Sequence, residues 1–258
     1  MKTKNLLKKL SKKYPKRICE KWDHPGLQVG KLKEETNSIL LCLDFDEVVY
    51  KLMQDKNLLD KIDLIITHHP FIFGNKKDVF KENSFKEALY NKILEANIPI
   101  YSYHTNFDGG IDGMNDALLN ELGLKDIKPL KTLSMARGGL LNEPMEIEEF
   151  AKFAKAKLNV TYGLLLPYGK KQINSVAIIG GGGWFGYKAS KEEDYDIFIS
   201  GDIPHHGRRD VIEYQYNYLD LPHEIENIFM KQMEKILKNI DSDIKVYPLV
   251  HELCAQVI

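Results

Sequence analysis

The sequence predicts an α/β fold made of two pseudo-related α/β halves with largely parallel sheets. Three observations carry that expectation. Short apolar runs alternate with amphipathic helical stretches along the chain, the pattern of strand–helix–strand units. Histidine-bearing polar clusters follow several of those runs directly. The halves also echo each other: residues 37–45 (NSILLCLDF) resemble 174–182 (NSVAIIGGG), and 63–70 (DLIITHHP) resemble 196–206 (DIFISGDIPHH).

Taken in order, 38–44 (SILLCLD) is apolar enough for a buried strand, and 47–57 reads as an amphipathic helix. Residues 63–67 give a strand, 84–96 a helix, 98–103 a strand and 112–122 a helix with Asp112 as its N-cap. The second half supplies a helix over 147–158 and strands over 173–179, 195–200 and 217–220. A long helix over 223–239 and a strand over 243–249 end it. The halves are expected to span 1–130 and 131–258. The basic first helix, with Leu6, Leu7 and Leu10, reads as a solvated surface helix rather than a membrane anchor.

Composition narrows the function. The 258 residues are 43% hydrophobic and 28% charged, an ordinary globular mix. Thirty-six basic side chains face 37 acidic ones, for a net charge of -1, which gives no electrostatic footprint for nucleic acid. Only Arg17, Arg137, Arg208 and Arg209 are arginines. No stretch approaches the roughly 18 apolar residues that cross a bilayer, and the basic start has no apolar signal core. Cys19, Cys42 and Cys254 are widely spaced and odd in number, which suits idle thiols in a reducing, cytoplasmic setting.

The chemistry is expected at the ends of the strands, where open α/β sheets bind ligands. His68 and His69 close the strand DLIIT. His104 and Asp108 follow the next strand, four residues apart, and His223 and Glu226 share one face of a helix start from which Glu224 points away. His68, His69, Asp108, His223 and Glu226 offer nitrogen and oxygen donors without thiolate, a set suited to zinc, iron(II) or manganese. Five donors suit two divalent ions bridged by a carboxylate better than one. His104 is the candidate catalytic group, orienting water or shuttling a proton. Asp202, His205, His206 and Arg208 are expected to line the substrate pocket, with Arg208 facing an anionic group. His24 and His251 read as hydrogen-bonded histidines without a ligand role. The glycines at 180–183 lack a phosphate-loop lysine and read as a tight turn. The tyrosines and phenylalanines are scattered and form no base-stacking platform.

On these residues the chain resembles the GTP cyclohydrolase 1 type 2 homologues, the NGG-interacting-factor-like proteins. The motifs are Trp22-Asp23-His24-Pro25-Gly26-Leu27-Gln28-Val29-Gly30, Thr67-His68-His69-Pro70, His104-Thr105-Asn106-Phe107-Asp108, Ser200-Gly201-Asp202 and His223-Glu224-Ile225-Glu226. His24 stands where the family has asparagine, and Pro222 where it has glycine. The chain resembles the short form, without an inserted central domain. The resemblance implies a dinuclear site on His68, His69, Asp108, His223 and Glu226, a hexameric ring of identical chains, and hydrolytic opening of the GTP imidazole ring. The resulting expectation is a metal-dependent hydrolase of a small, nucleotide-like substrate. A non-catalytic metal-binding or scaffold protein and a phosphoesterase are the alternatives.

Overall fold

The computed structural model describes residues 1–251, so Cys254 lies outside the described residues. These residues divide into two units, Met1–Ile111 with the chain from Phe229 on, and Asp112–Ile228. In chain order the first holds α1 (Thr3–Lys13), β1 (Gly26–Val29), β2 (Ser38–Cys42), α2 (Glu47–Asp55), β3 (Leu64–Thr67), α3 (Lys76–Glu82), α4 (Ser84–Glu95), β4 (Ile100–Ser102) and the single turn α5 (Thr105–Asp108). The second holds α6 (Met114–Glu121), β5 (Lys125–Pro129), β6 (Arg137–Glu146), α7 (Ile147–Lys157), β7 (Leu164–Pro167), β8 (Gln172–Ile178), α8 (Tyr187–Glu192), β9 (Ile197–Ser200), α9 (His205–Glu213) and β10 (Asn217–Asp220). A 3₁₀ turn over His223–Asn227 leads into α10 (Ile228–Ile240), and β11 (Lys245–Pro248) follows.

The first sheet has the order β1-β4-β3-β2-β11. Its four inner and far strands run parallel, and only β1 is antiparallel, on β4. Every residue of β2 and β3 is buried, as in strands covered on both faces. Their core includes Leu40, Val49, Met53, Ile65, Ile93 and Ile100. Each such side chain contributes on the order of 1.5–3 kcal/mol when removed from water. The second sheet has the order β5-β6-β8-β9-β10-β7. Its parallel centre is β8-β9-β10, and β5, β6 and β7 add antiparallel edges. Its core is built around Ala177, Ile179, Phe198, Val211 and Tyr218.

Four expectations change. The boundary lies at Ile111/Asp112 rather than near 130, and β11 belongs to the first sheet, where it pairs in parallel with the open edge of β2. Asp112 does not cap α6: its φ is 52°, Gly113 precedes the helix, and the Asp112 N–H donates to Asp116 Oδ2 at 2.7 Å. The helix expected over 223–239 opens as a 3₁₀ turn, and only from Ile228 is it α-helical.

A shared lock starts the central strands of both units. In the first, Asp63 Oδ2 accepts from the backbone N–H of Asn37 and Ser38 at 3.0 and 3.1 Å. In the second, Asp196 Oδ2 accepts from Asn174 and Ser175 at 2.8 and 2.9 Å. The repeated Asn-Ser and Asp of the two halves are therefore matched in structure. Each carboxylate ties two parallel strands at their entry and leaves their carboxyl ends to carry other chemistry.

Candidate metal centre

In the first unit β3 delivers His68 and His69, while the segment after β4 delivers His104 and α5 carries Asp108. His68, His69 and His104 offer ring nitrogens that all lie within 4.8 Å of one another. His68 is fully buried, with its ring against Phe229 and Phe107 at centroid separations of 5.4 and 6.3 Å. Its Nδ1 donates to the Tyr103 carbonyl at 2.9 Å, which leaves Nε2 as the nitrogen with the lone pair in the neutral ring. That Nε2 lies 3.4 Å from Asp108 Oδ1. An imidazole lone pair and a carboxylate oxygen attract at such a distance only through a proton or a cation.

The other histidines repeat the arrangement. His69 Nδ1 is 2.8 Å from Asp44 Oδ2. His104 Nδ1 is 3.0 Å from Asp23 Oδ1. The Asp23 side chain is wholly buried, and its second oxygen accepts from the Thr105 backbone N–H at 3.1 Å and from the Thr105 hydroxyl. Burial pushes the Asp23 carboxyl up, but the His104 and Thr105 hydrogen bonds outweigh it and hold it below its ordinary value.

In the second unit His223 Nδ1 is 2.6 Å from Asp202 Oδ2, and His223 Nε2 is 3.1 Å from the buried Glu226 Oε2. The 3₁₀ turn accounts for the pairing, because three residues per turn stack positions 223 and 226. The turn after β8 is cut to fit them. Gly181 has φ 57°, and a Cβ there would lie 2.4 Å from Glu226 Oε1 and 2.8 Å from His223 Nε2. The tight turn expected over 180–183 therefore exists to let backbone approach the two donors.

Each histidine thus has its Nδ1 fixed by a carbonyl or a carboxylate, so Nε2 is the atom turned to coordination. Metal-binding histidines are oriented in this way, and the outer partner fixes the tautomer and raises ligand basicity. Soft thiolate is missing from both donor sets, which fits borderline or hard divalent ions. The residues suit a divalent metal.

The remaining expected residues sit differently. His205 and His206 open α9 and are exposed; the His206 ring packs edge-on against Trp184 at 5.4 Å. Arg208 Nη2 is 3.6 Å from Asp220 Oδ2. Burial pushes the Asp220 carboxyl up to about 6, against the pull of a backbone hydrogen bond and Arg208. His251 Nε2 is 3.2 Å from Asp46 Oδ2, and His24 is exposed, so neither joins the donor sets. Asp23 belongs to the Trp22–Gly30 motif, but neither it nor Asp44 carries a site role in the sequence, since they lie 81 and 25 positions from the histidines they hold.

Fold and donors define a two-unit α/β protein with buttressed histidine–carboxylate sets at its strand ends. The Duf34/NIF3 (NGG1p interacting factor 3) family matches residues 1–252, and the chain belongs to that family. A Campylobacter jejuni protein named GTP cyclohydrolase 1 type 2 homolog is 33% identical over 92% of this chain and 90% of its own length. A Lactococcus lactis protein of the same name is 30% identical over 96% and 95%. The crystal structure of Staphylococcus aureus hypothetical protein SA1388 shares the fold, with a TM-score of 0.88 at 24% identity over 100% of this chain and 99% of that one. Among the described residues no helix is long and apolar enough to cross a membrane.

Proposed function

We propose that the protein is a metal-dependent hydrolase of a small nucleotide-like substrate, with two divalent ions held by His68, His69, Asp108, His223 and Glu226. The observation that carries this reading is the anchoring of Nδ1 on each of the three ligand histidines, by Tyr103, Asp44 and Asp202. An outer partner on Nδ1 leaves Nε2 free to bind a metal in each of them. The names of the relatives favour ring-opening hydrolysis of GTP as the particular reaction.

Divalent ions in such a site supply Lewis acidity and lower the pKa of water. His104, which stands beside His68 and His69, is assigned the role of base. Asp23 keeps its Nδ1 protonated, and Nε2 accepts the proton of the attacking water. Asp23 also steadies the imidazolium that results, because its carboxylate is buried and already ionised. Asp202 acts on His223 as a positioning residue, and His205, His206 and Arg208 are left as substrate contacts. The family likeness extends the proposal to a homohexameric ring in the cytoplasm.

The test is release of formate from GTP by protein loaded in turn with zinc, iron(II) and manganese. Turnover with at least one metal is expected. His104→Ala should lower it by about 10²–10⁴-fold with the metal content unchanged. No new product with any of the three metals would remove the hydrolase reading. Phosphate in place of formate would make the protein a phosphoesterase.

A further inference from the structure

Two large aromatic side chains of the first unit stand open beside His104. Trp22 is 55% and Phe73 59% exposed, yet their rings touch, with centroids 5.7 Å apart. Both also contact the His104 imidazole, at 5.7 and 6.3 Å. Single exposed aromatics need no explanation, but these two come from segments 51 positions apart and meet on a histidine of the donor group.

They are also held in place. The Asp23 N–H donates to Glu20 O at 3.0 Å, the Glu20 N–H donates to Thr105 Oγ1 at 3.0 Å, and the Asp23 carboxylate is bound to Thr105. Residues 20–23 are therefore tied at both ends to the start of α5, with Trp22 between the ties. Gln28 clasps the two segments: its Nε2 donates to His24 O and Gly26 O at 3.1 and 3.2 Å, and its Oε1 accepts from the Ile72 N–H at 3.3 Å. Rings fixed in advance lose little freedom when a ligand arrives.

We propose that Trp22 and Phe73 are the seat for a flat heteroaromatic ring of the substrate, presented to His104. This rests on the hydrolase reading and names the part of the chain that recognises the ring. Stacking on indole and phenyl faces selects for a planar π-system and tolerates differences in its polar edge. A pair of side chains matches one ring; a stable contact with a second copy of the chain needs about 800 Å² per partner.

The test is calorimetric binding to the zinc-loaded protein of guanosine, uridine and nicotinamide monophosphonucleotides, against ribose 5-phosphate. At least one ring-bearing probe should bind about tenfold tighter than ribose 5-phosphate. Trp22→Leu and Phe73→Leu should each remove roughly that factor, and Trp22→Phe should stay within about threefold of wild type, all with zinc content unchanged. Equal binding of ribose 5-phosphate and all three probes, or no binding by any probe, overturns the seat. So does unchanged affinity in both leucine variants. Loss of zinc in both leucine variants also overturns it, since the rings would then support the donors. The readouts are affinity and zinc content, so absence of turnover leaves this test intact, and turnover without ring-dependent binding sinks the seat alone.

Discussion

Asp63 and Asp196 do the same work in the two halves, but not in the same surroundings. Each ties the entry of two parallel strands, each accepts from an Asn-Ser pair, and each has a lysine nearby, Lys33 or Lys170, at 3.3 or 2.7 Å. The Asp196 side chain is 4% exposed and that of Asp63 25%. At the opposite strand ends the halves diverge. β3 runs into two histidines, while β9 runs into Gly201 and Asp202. β4 leads to His104 and Asp108, β10 to His223 and Glu226. The strand starts preserve a scaffold and the strand ends distribute the chemistry, so a repeated fold has come to carry two unlike donor sets.

Breaking the locks should expose their difference first. Asp196→Ala removes a buried acceptor of four hydrogen bonds and should cost about 3 kcal/mol in urea unfolding. Asp63→Ala, with more water at hand, should cost about 1–2 kcal/mol. Equal costs would mean that burial does not set the strength of the lock. Both carboxyls feel burial pushing them up, and backbone and side-chain hydrogen bonds, with the lysine, bring them below the ordinary 3.8. A lowered folded pKa gives stability that is present above the unfolded value and is lost as pH falls through the folded one. Acid unfolding below pH 3.8 should therefore be shallower in Asp196→Asn than in the wild type, as read by circular dichroism.

The donor sets give the next contrasts. Gly181→Ala should cost about 2 kcal/mol, from the left-handed backbone and the contact with Glu226, and it should weaken metal binding. Among the described residues no glycine presses on the first set in this way. Asp202→Ala and Asp44→Ala remove the supports of His223 and His69, and each should lower metal affinity by about 10–100-fold in chelator competition. An effect from only one of them would show that one half holds its ligands without outer support.

The smallest effect comes from a position where the sheets correspond. Ser102 pairs with Thr67 in the first, and Asp220 pairs with Ser200 in the second. The serine is neutral, whereas burial holds the Asp220 carboxyl up at about 6. Ionising it in the folded protein disfavours the fold, so stability is greater below that pH and declines as pH rises through about 6. Asp220→Asn should gain under about 1 kcal/mol on the wild type, with the gain growing from about pH 4 to about pH 6 and level above that.

Much of this organisation could be read from the chain. The strands of the parallel centres are continuous apolar runs, and His68, His104 and His223 are legible because polar residues follow such runs at once. β5 was not legible, because its residues are largely exposed and show no period. β6 is broken by a shift of register between Leu140 and Met145, with Pro144 inside it, so it does not alternate like a simple strand. Trp22 and Asp23 stand in a motif of the sequence, but their pairing with Phe73 and His104, like that of Asp44 with His69, lies in contacts between distant segments that the sequence does not show. From the sequence Asp202 reads as a pocket residue, and its carboxylate is found on His223.

The central claim is that the histidine–carboxylate donor sets hold divalent metal. Elemental analysis of the purified protein, of His68→Ala and of His223→Ala tests it most directly. About two divalent ions per chain are expected for the wild type, with a clear loss in each variant although each alters only one half. A metal-free wild type, or variants that retain the full complement, would contradict it.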